Sequence, residues 1–132
     1  MEPNSGQRFA RYQVPAILWA LLIFVSSSIP GWVFPRVNIR NLDKVVHVFY
    51  YLVLAVLVAR AFRHQTRFQA FWRFSLIMSF LLATAYGVSD ELHQLFVPER
   101  SYDPQDLLAD MAGALAGVAV VAVVRKLKRQ RE

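Results

Sequence analysis

Several ionisable side chains near the ends of apolar segments are of the types that proteins use for acid–base chemistry and for anion binding. His47 and the adjacent carboxylates Asp90 and Glu91 can donate and accept protons, which makes them candidates for general acid and base catalysis. Arg100 carries a planar guanidinium that suits a carboxylate or a phosphate partner. We therefore predict a polar site in which His47, Asp90 and Glu91 are the catalytic candidates. Arg100 is predicted to bind a substrate and to balance the carboxylates.

Helical spacing adds neighbouring polar residues to these candidates. Asp43 precedes His47 by four residues, so its carboxylate is predicted to orient the imidazole ring. Helical periodicity places the residues three and four positions after His47 on the same side of the helix as His47. It places the residue four positions after Asp90 on the same face as Asp90. The predicted substrate-binding residues beside Arg100 are Tyr50, Tyr51, Gln94, Asp106 and Asp110.

A stripe of carboxylates and small residues follows the start of the last apolar segment. Helical spacing places four of its members on one face, and they are Asp106, Asp110, Gly113 and Gly117. Two glycines separated by three residues allow helices to approach closely in lipid. We predict that Gly113 and Gly117 pack a helix inside the bundle. The alternative is that they pack two copies of the chain in a homo-oligomer.

The composition of the 132-residue chain is that of a membrane protein. Hydrophobic residues make up 56% of the chain and charged residues only 18%, whereas soluble domains carry about 25% charged residues. A small soluble domain exposes too much surface to be covered by so few charges, so the apolar excess is expected to face lipid. The low charge and high apolar content exclude a disordered tail. The lack of cysteine in the sequence excludes a disulfide-rich scaffold and a cysteine-type zinc finger.

Four apolar runs are each compatible with a membrane-spanning helix, for which about 17–25 residues are needed. Arginines before the first run also fit a signal peptide, but with its aromatic flanks the run is long for one. We predict an all-α, polytopic membrane protein in which residues 1–132 form a single domain of four transmembrane helices. The predicted helices cover residues 14–29, 45–62, 74–97 and 107–124.

The distribution of charge predicts the orientation of the four spans. Most of the 15 lysine and arginine residues fall before the first run, between the second and third runs, and after the fourth. Cytoplasmic loops carry such an excess, so both termini are predicted to be cytoplasmic. The basic tail after Val124 then anchors the chain and contacts anionic lipid, and no nucleic acid partner is predicted. The other side holds every acidic residue except Glu2 and Glu132, together with Arg36, Arg40, Lys44 and Arg100.

Three motifs carry a resemblance to a known family. They are DKVVH at 43–47, which is followed by a tyrosine pair, DELHQLFVPER at 90–100, and the stripe at 106–117. With these motifs the chain resembles the VanZ-like family of small bacterial membrane proteins over most of its length. It departs from the family pattern at two positions. Glu99 stands where glycine is favoured before the arginine, and Asp110 stands where asparagine is frequent.

The resemblance implies a location and a class of partner. It implies a multi-pass protein of the bacterial cytoplasmic (inner) membrane whose polar motif faces outward. The family is named after an accessory protein of glycopeptide-resistance clusters, which links it to teicoplanin tolerance and to the cell envelope. The partner that this implies is a membrane lipid or a lipid-linked envelope precursor.

Four functions remain open for the polar residues. They are an enzyme acting on an envelope lipid, a non-enzymatic binder of a lipid head group, antibiotic or partner protein, a scaffold whose polar residues fix helix packing, and a transporter. Four spans without internal repeats are few for a transporter. No cofactor is predicted. No metal site is predicted either, because recognised zinc-ligand spacings are absent. The alternative metal set would be His47, Asp90, Glu91 and His93.

Overall fold

The structure of the chain, a computed structural model, describes residues 4–33, 41–65 and 67–131. Within these ranges all the regular structure is helical and no strand occurs, which confirms the predicted all-α class. One connecting segment contains a single 3₁₀ turn, Gly31–Val33. The helices are α1 (Ser5–Ser27), α2 (Leu42–His64), α3 (Gln69–Arg73), α4 (Ser75–Gln94) and α5 (Pro104–Arg129).

Helices α1 and α5 begin before the apolar runs because polar residues cap their first turns. Asn4 and Gln7 form a capping box in which the Gln7 backbone N–H donates to Asn4 Oδ1 at 2.8 Å and the Asn4 N–H donates to Gln7 Oε1 at 3.1 Å. At the start of α5, Asp103 Oδ1 accepts from the Gln105 N–H at 2.8 Å, and Pro104 takes the first helical position. The predicted starts at 14 and 107 therefore mark only the apolar part of each helix.

Helix α4 ends three residues before the predicted boundary at 97, and a short helix precedes it. After Gln94 the chain tightens into turns, in which the Phe96 N–H donates to the His93 oxygen at 3.0 Å and the Val97 N–H donates to the Gln94 oxygen at 3.1 Å. Pro98 follows and cannot continue a helix. Helix α3 occupies part of the segment predicted to be a loop, where its aromatic residues pack on the end of α2.

Successive long helices run antiparallel, and α2 contacts each of the other three. One end of the bundle, called the polar end below, is where α1 and α4 finish and where α2 and α5 begin. At the opposite end, Tyr12 of α1 stacks on His64 of α2 with ring centroids 4.0 Å apart. There Arg125 of α5 also donates to Ser75 Oγ of α4 at 3.0 Å. The antiparallel order therefore gathers the polar motifs of separate helices at one end.

Glycines on α5 let it approach α2 closely. Gly113 faces the backbone of Val48, and Gly117 faces the carbonyl oxygen of Leu52, so closely that a Cβ atom at either position would overlap the α2 backbone. Both glycines are buried. The stripe thus contacts a neighbouring helix of the same chain, and this contact turns Asp110 on the same face into the bundle.

Three of the described helices, α1, α2 and α5, are long and apolar enough to cross a membrane. Their outward faces carry large apolar side chains with more than half of their surface accessible, among them Ile17, Leu115 and Val123. Helix α4 has 20 residues, which is the length of a span, but Asp90 and Glu91 in its last turns lower its hydropathy. These helices identify a membrane protein, while the count of four spans stays a prediction.

The orientation of the helices relative to the two sides of the membrane also stays a prediction. It depends in part on Arg36 and Arg40, which lie outside the described residues, as do the terminal Glu2 and Glu132. Among the described residues, the carboxylates gather at the polar end of the bundle. The basic residues in the last turn of α5 lie at the opposite end.

Candidate functional site

A cleft of about 520 Å³ opens at the polar end. Its lining combines ionisable, hydroxyl and apolar side chains, so the cleft can contact both a polar group and a hydrocarbon chain. It brings together residues that the sequence places in separate motifs. The predicted site residues that line the cleft are His47, Tyr50, Tyr51, Asp90, Gln94 and Arg100.

His47 is oriented by Asp110 on the facing helix and not by Asp43 on its own helix. His47 Nδ1 lies 2.8 Å from Asp110 Oδ1, and His47 Nε2 lies 3.8 Å from Asp106 Oδ2. Asp43 pairs with Lys44 at 3.0 Å and leaves 60% of its side chain exposed. The predicted pair of Asp43 and His47 is therefore wrong. The imidazole turns toward α5 because Asp110 is fully buried there, and a buried carboxylate needs a hydrogen-bond donor.

Lys44 neutralises the carboxylates at the start of α5. Its Nζ lies 2.5 Å from Asp103 Oδ2 and 2.5 Å from Asp106 Oδ1. Hydrogen bonding to this ammonium lowers the pKa of Asp103, which is also the N-cap of α5. At these two carboxylates Lys44 takes the role that the sequence analysis gives to Arg100. Arg100 lines the cleft, and its Nε donates to the Ile29 carbonyl oxygen at 3.4 Å.

Asp90 joins α4 to the serine-rich end of α1. Ser27 Oγ donates to Asp90 Oδ1 at 2.5 Å, and Gln94 Nε2 lies 3.5 Å from Asp90 Oδ2. On the same pair of helices, Ser28 Oγ and His93 Nε2 are 3.0 Å apart. Asp90 is only 5% exposed although it contributes to the cleft lining. The Ser27 hydroxyl thus replaces part of the water that an isolated carboxylate would require.

Glu91 is fully buried and does not belong to the cleft lining. Its Oε2 accepts from the Asp103 backbone N–H at 3.0 Å, whereas its Oε1 has no hydrogen-bond partner among the described residues. Asp110 Oδ2 is likewise without one there. Gly87 provides the space for Asp110, because a Cβ at position 87 would lie 2.9 Å from Asp110 Oδ2. Like Glu91, neither Asp106 nor Asp110 belongs to the cleft lining.

The two tyrosines of α2 have different surroundings. The Tyr50 hydroxyl lies 3.3 Å from Ser26 Oγ, and the Tyr50 carbonyl oxygen accepts from the Trp19 indole N–H at 2.9 Å. Tyr51 is fully buried in the apolar core, and its hydroxyl has no hydrogen-bond partner among the described residues. Tyr50 thus fixes α2 against α1, while Tyr51 brings a buried hydroxyl to the cleft.

The segment after α4 bends back toward the end of α1. The Gly31 N–H donates to the Pro98 oxygen at 3.1 Å, and the Arg100 N–H donates to the Val97 oxygen at 3.1 Å. Glu99 between them has a φ of 55°, in the left-handed region that residues with a Cβ rarely adopt. Gly31 packs so closely on the Glu99 backbone that a Cβ there would overlap it. This bend brings Glu99 and Arg100 into the cleft lining.

Three residues that the sequence analysis does not assign to the site hold the polar end together. Lys44 is a charged residue inside the first motif, and Ser27 is one of three consecutive serines that end the first apolar run, so both have a sequence signal. Gly87 has none, because its role depends on which face of α4 meets Asp110.

Potential metal ligands converge at His47, Glu91 and Asp106 within the described ranges. One donor atom from each residue lies within 4.8 Å of the donor atoms of the other two. The alternative metal set from the sequence is not brought together in this way, because Asp90 and His93 contact serines of α1. The geometric cluster therefore includes Asp106 in place of those two residues.

Comparison with known proteins identifies the chain by its sequence. A family model described as VanZ/LLP1 matches residues 12–125, which cover every residue that lines the cleft and both packing glycines of α5. This match confirms the predicted resemblance. Neither the curated proteins nor the solved structures gave a significant match.

Proposed function

Because this chain belongs to the VanZ/LLP1 family, we propose that its cleft holds the head group of an envelope lipid or of a lipid-linked envelope precursor. In this proposal the chain is a single domain of four spans in the bacterial cytoplasmic (inner) membrane. Both termini are cytoplasmic and the polar end faces outward, as the distribution of basic residues favours. The lipid enters from the bilayer with its head group toward the polar end.

The mixed lining of the cleft is the observation that carries this proposal. Arg100 supplies a guanidinium that suits a phosphate, and Asp90 supplies a carboxylate that accepts hydrogen bonds from hydroxyl groups. Apolar side chains from α1 and α2, including Ile23 and Val46, line the same cleft. A ligand with a phosphate, hydroxyl groups and a hydrocarbon chain matches all three kinds of surface.

His47 and Asp90 are the groups best placed to act chemically on such a ligand. Both line the cleft, and Asp110 holds the imidazole of His47 in one orientation. An oriented imidazole beside a carboxylate can transfer protons during the attack on a phosphate or glycosyl bond. Glu91 has no place in this step, since it lies outside the lining. Formation of a product from the bound lipid separates an enzyme from a binder.

The basic end of the bundle supports a second lipid contact. Lys126, Lys128 and Arg129 are exposed in the last turn of α5. In the proposed orientation they face the anionic surface of the cytoplasmic leaflet, where each such charge contributes about 1 kcal/mol of attraction. This contact anchors the chain and is separate from the cleft.

We expect Arg100→Ala to weaken binding of an anionic polyprenyl-phosphate lipid by roughly 10-fold or more, because a charge-assisted hydrogen bond is lost. Binding is measured by native mass spectrometry of the purified protein against this lipid and against zwitterionic phosphatidylcholine. Arg100→Lys keeps the positive charge but loses the planar guanidinium. Its affinity for the polyprenyl-phosphate lipid should therefore lie between those of the wild type and Arg100→Ala. Arg67→Ala removes an exposed arginine between α2 and α3 and serves as the matched control.

A scaffold function is the second candidate, and the polar contacts between helices favour it. Ser27 with Asp90 joins α1 to α4, and His47 with Asp110 joins α2 to α5. If the polar residues only fix packing, Arg100→Ala binds the polyprenyl-phosphate lipid as wild type does. In that case Asp90→Asn lowers the thermal unfolding midpoint without changing lipid selectivity. That pair of results would contradict the lipid proposal.

A further inference from the structure

The convergence of His47, Glu91 and Asp106 from two helices and the first turn of a third points to a bound ion. One donor atom of each lies within 4.8 Å of the others, although these residues are far apart in sequence. We propose that His47, Glu91 and Asp106 bind a divalent first-row transition-metal cation such as Zn²⁺ or Mn²⁺. This inference goes beyond the lipid function and does not rest on it. With Nε2 bound to the ion, His47 holds the ion instead of transferring protons, and Asp90 is then the proton-transfer group of the cleft.

His47 is arranged as a metal-binding histidine. Its Nδ1 faces the Asp110 carboxylate at 2.8 Å, and because a carboxylate accepts hydrogen bonds, the neutral imidazole that binds a cation carries its hydrogen on Nδ1 and presents the lone pair of Nε2. A carboxylate behind the imidazole is the usual partner of a metal-binding histidine. Nε2 lies 3.8 Å from Asp106 Oδ2, which is too long for a hydrogen bond. An ion that binds both atoms at about 2.0–2.2 Å would bridge this distance, with an angle of less than 180° between its two bonds.

Glu91 provides an independent reason for a cation. The residue is fully buried, one of its oxygens accepts from the Asp103 N–H, and the other has no hydrogen-bond partner among the described residues. A buried carboxylate oxygen without a partner is costly. A cation between Glu91, His47 and Asp106 would compensate this carboxylate, one oxygen of which lies within 4.8 Å of a donor atom of each of the other two residues.

The donor set restricts the kind of ion. One imidazole and two carboxylates suit Zn²⁺ or Mn²⁺, because imidazole is a poor ligand for Ca²⁺ and Mg²⁺. Lys44 holds Asp106 through Oδ1, which leaves Oδ2 for the ion. Three protein ligands leave at least one coordination position for water or an anionic group.

The test measures metal binding by the purified full-length protein in detergent without added lipid. Protein stripped with a chelator is titrated with Mn²⁺ and followed by electron paramagnetic resonance, and Zn²⁺ content is measured by elemental analysis. We expect one equivalent in the wild type. His47→Ala, Glu91→Gln and Asp106→Asn should each weaken binding by at least about 10-fold. His93→Ala and Asp43→Asn are the controls, and both should bind as the wild type does.

Two further measurements keep the result independent of folding. Pulsed resonance of Mn²⁺ in the folded wild type should show coupling to a histidine nitrogen, and this coupling should disappear in His47→Ala while His93→Ala retains it. Arg100→Ala should bind the metal normally, so failure of the lipid proposal leaves this inference untouched. The inference is overturned if the folded wild type binds neither Mn²⁺ nor Zn²⁺ in stoichiometric amount. It is equally overturned if the nitrogen coupling is absent.

Discussion

Glu99 and Arg100 illustrate at the scale of single residues how backbone geometry presents a side chain. Glu99 has a φ of 55°, and its backbone lies so close to Gly31 that a Cβ at position 31 would overlap it. The left-handed conformation costs a residue with a Cβ about 1–2 kcal/mol, whereas glycine adopts it freely. The resemblance described in the sequence analysis implies glycine at this position, and the positive φ of Glu99 is a physical reason for such a preference.

We expect Glu99→Gly to stabilise the protein modestly, by about 0.5–1 kcal/mol, because relief of the left-handed strain exceeds the entropy that glycine adds to the unfolded chain. Thermal unfolding in detergent, followed by circular dichroism, measures the change. Glu99→Ala removes the same carboxylate but keeps the strain, so it is the matched control and should bring no gain. Equal midpoints for the two variants would count against backbone strain as the cause.

Helix α5 shows at the scale of elements how small residues position charged ones. Gly113 and Gly117 let the α5 backbone rest on Val48 and Leu52 of α2. That close approach puts Asp110 within 2.8 Å of His47 Nδ1. Without it the carboxylate would be buried with no partner from α2. The packing of this helix pair is therefore a condition for the geometry of the site.

Gly113→Ala should lower the free energy of unfolding by about 1–3 kcal/mol, because the new Cβ overlaps the Val48 carbonyl oxygen and forces the two helices apart. Denaturation in detergent gives the value. Gly6→Ala is the control, since a Cβ there lies 3.5 Å from Asn4 Oδ1, an ordinary contact. A loss of stability that is the same for both variants would show that the close approach of α5 and α2 is unimportant.

The whole molecule separates its charges between the two ends of the bundle. Among the described residues, carboxylates occupy the polar end together with His47, Lys44 and Arg100, while the basic residues in the last turns of α2 and α5 lie at the other end. An antiparallel bundle produces this separation because the ends of α1 and α4 meet the starts of α2 and α5. An excess of lysine and arginine is typical of the cytoplasmic side of a membrane, so this separation supports the proposed orientation.

Single cysteines can establish this orientation, because the natural sequence contains none. Ser5→Cys and Gln130→Cys place exposed thiols at the basic end, and Gln105→Cys places one at the polar end. In intact spheroplasts a membrane-impermeant maleimide should label only Gln105→Cys, and after lysis it should label all three. Labelling of Ser5→Cys or Gln130→Cys before lysis would refute the proposed orientation.

The helical class and the polar motifs could be predicted because they depend on local features of the sequence. Apolar runs long enough for spans and the spacing of Asp90 with Gln94 follow from composition and helical periodicity. The predicted starts of α1 and α5 lie too late in the sequence, because capping by Asn4 and Asp103 extends each helix into polar sequence.

Pairing between helices could not be predicted in the same way. Spacing along one helix suggests Asp43 as the partner of His47, but the partner is Asp110 on another helix. Burial decides the choice, because Asp110 is fully inaccessible and must find a donor, whereas Asp43 reaches solvent. Periodicity describes the face of one helix and does not say which face of a second helix it meets.

The sequence by itself thus determined an all-helical membrane protein of one family, with its ionisable residues concentrated near a few helix ends. Only the tertiary structure decided that Lys44 pairs with Asp103 and Asp106. It also decided that Glu91 lies outside the cleft lining, close to His47 and Asp106. The physical reason is that hydropathy and helix propensity are local quantities, while the partner of a buried charge depends on the packing of separate helices.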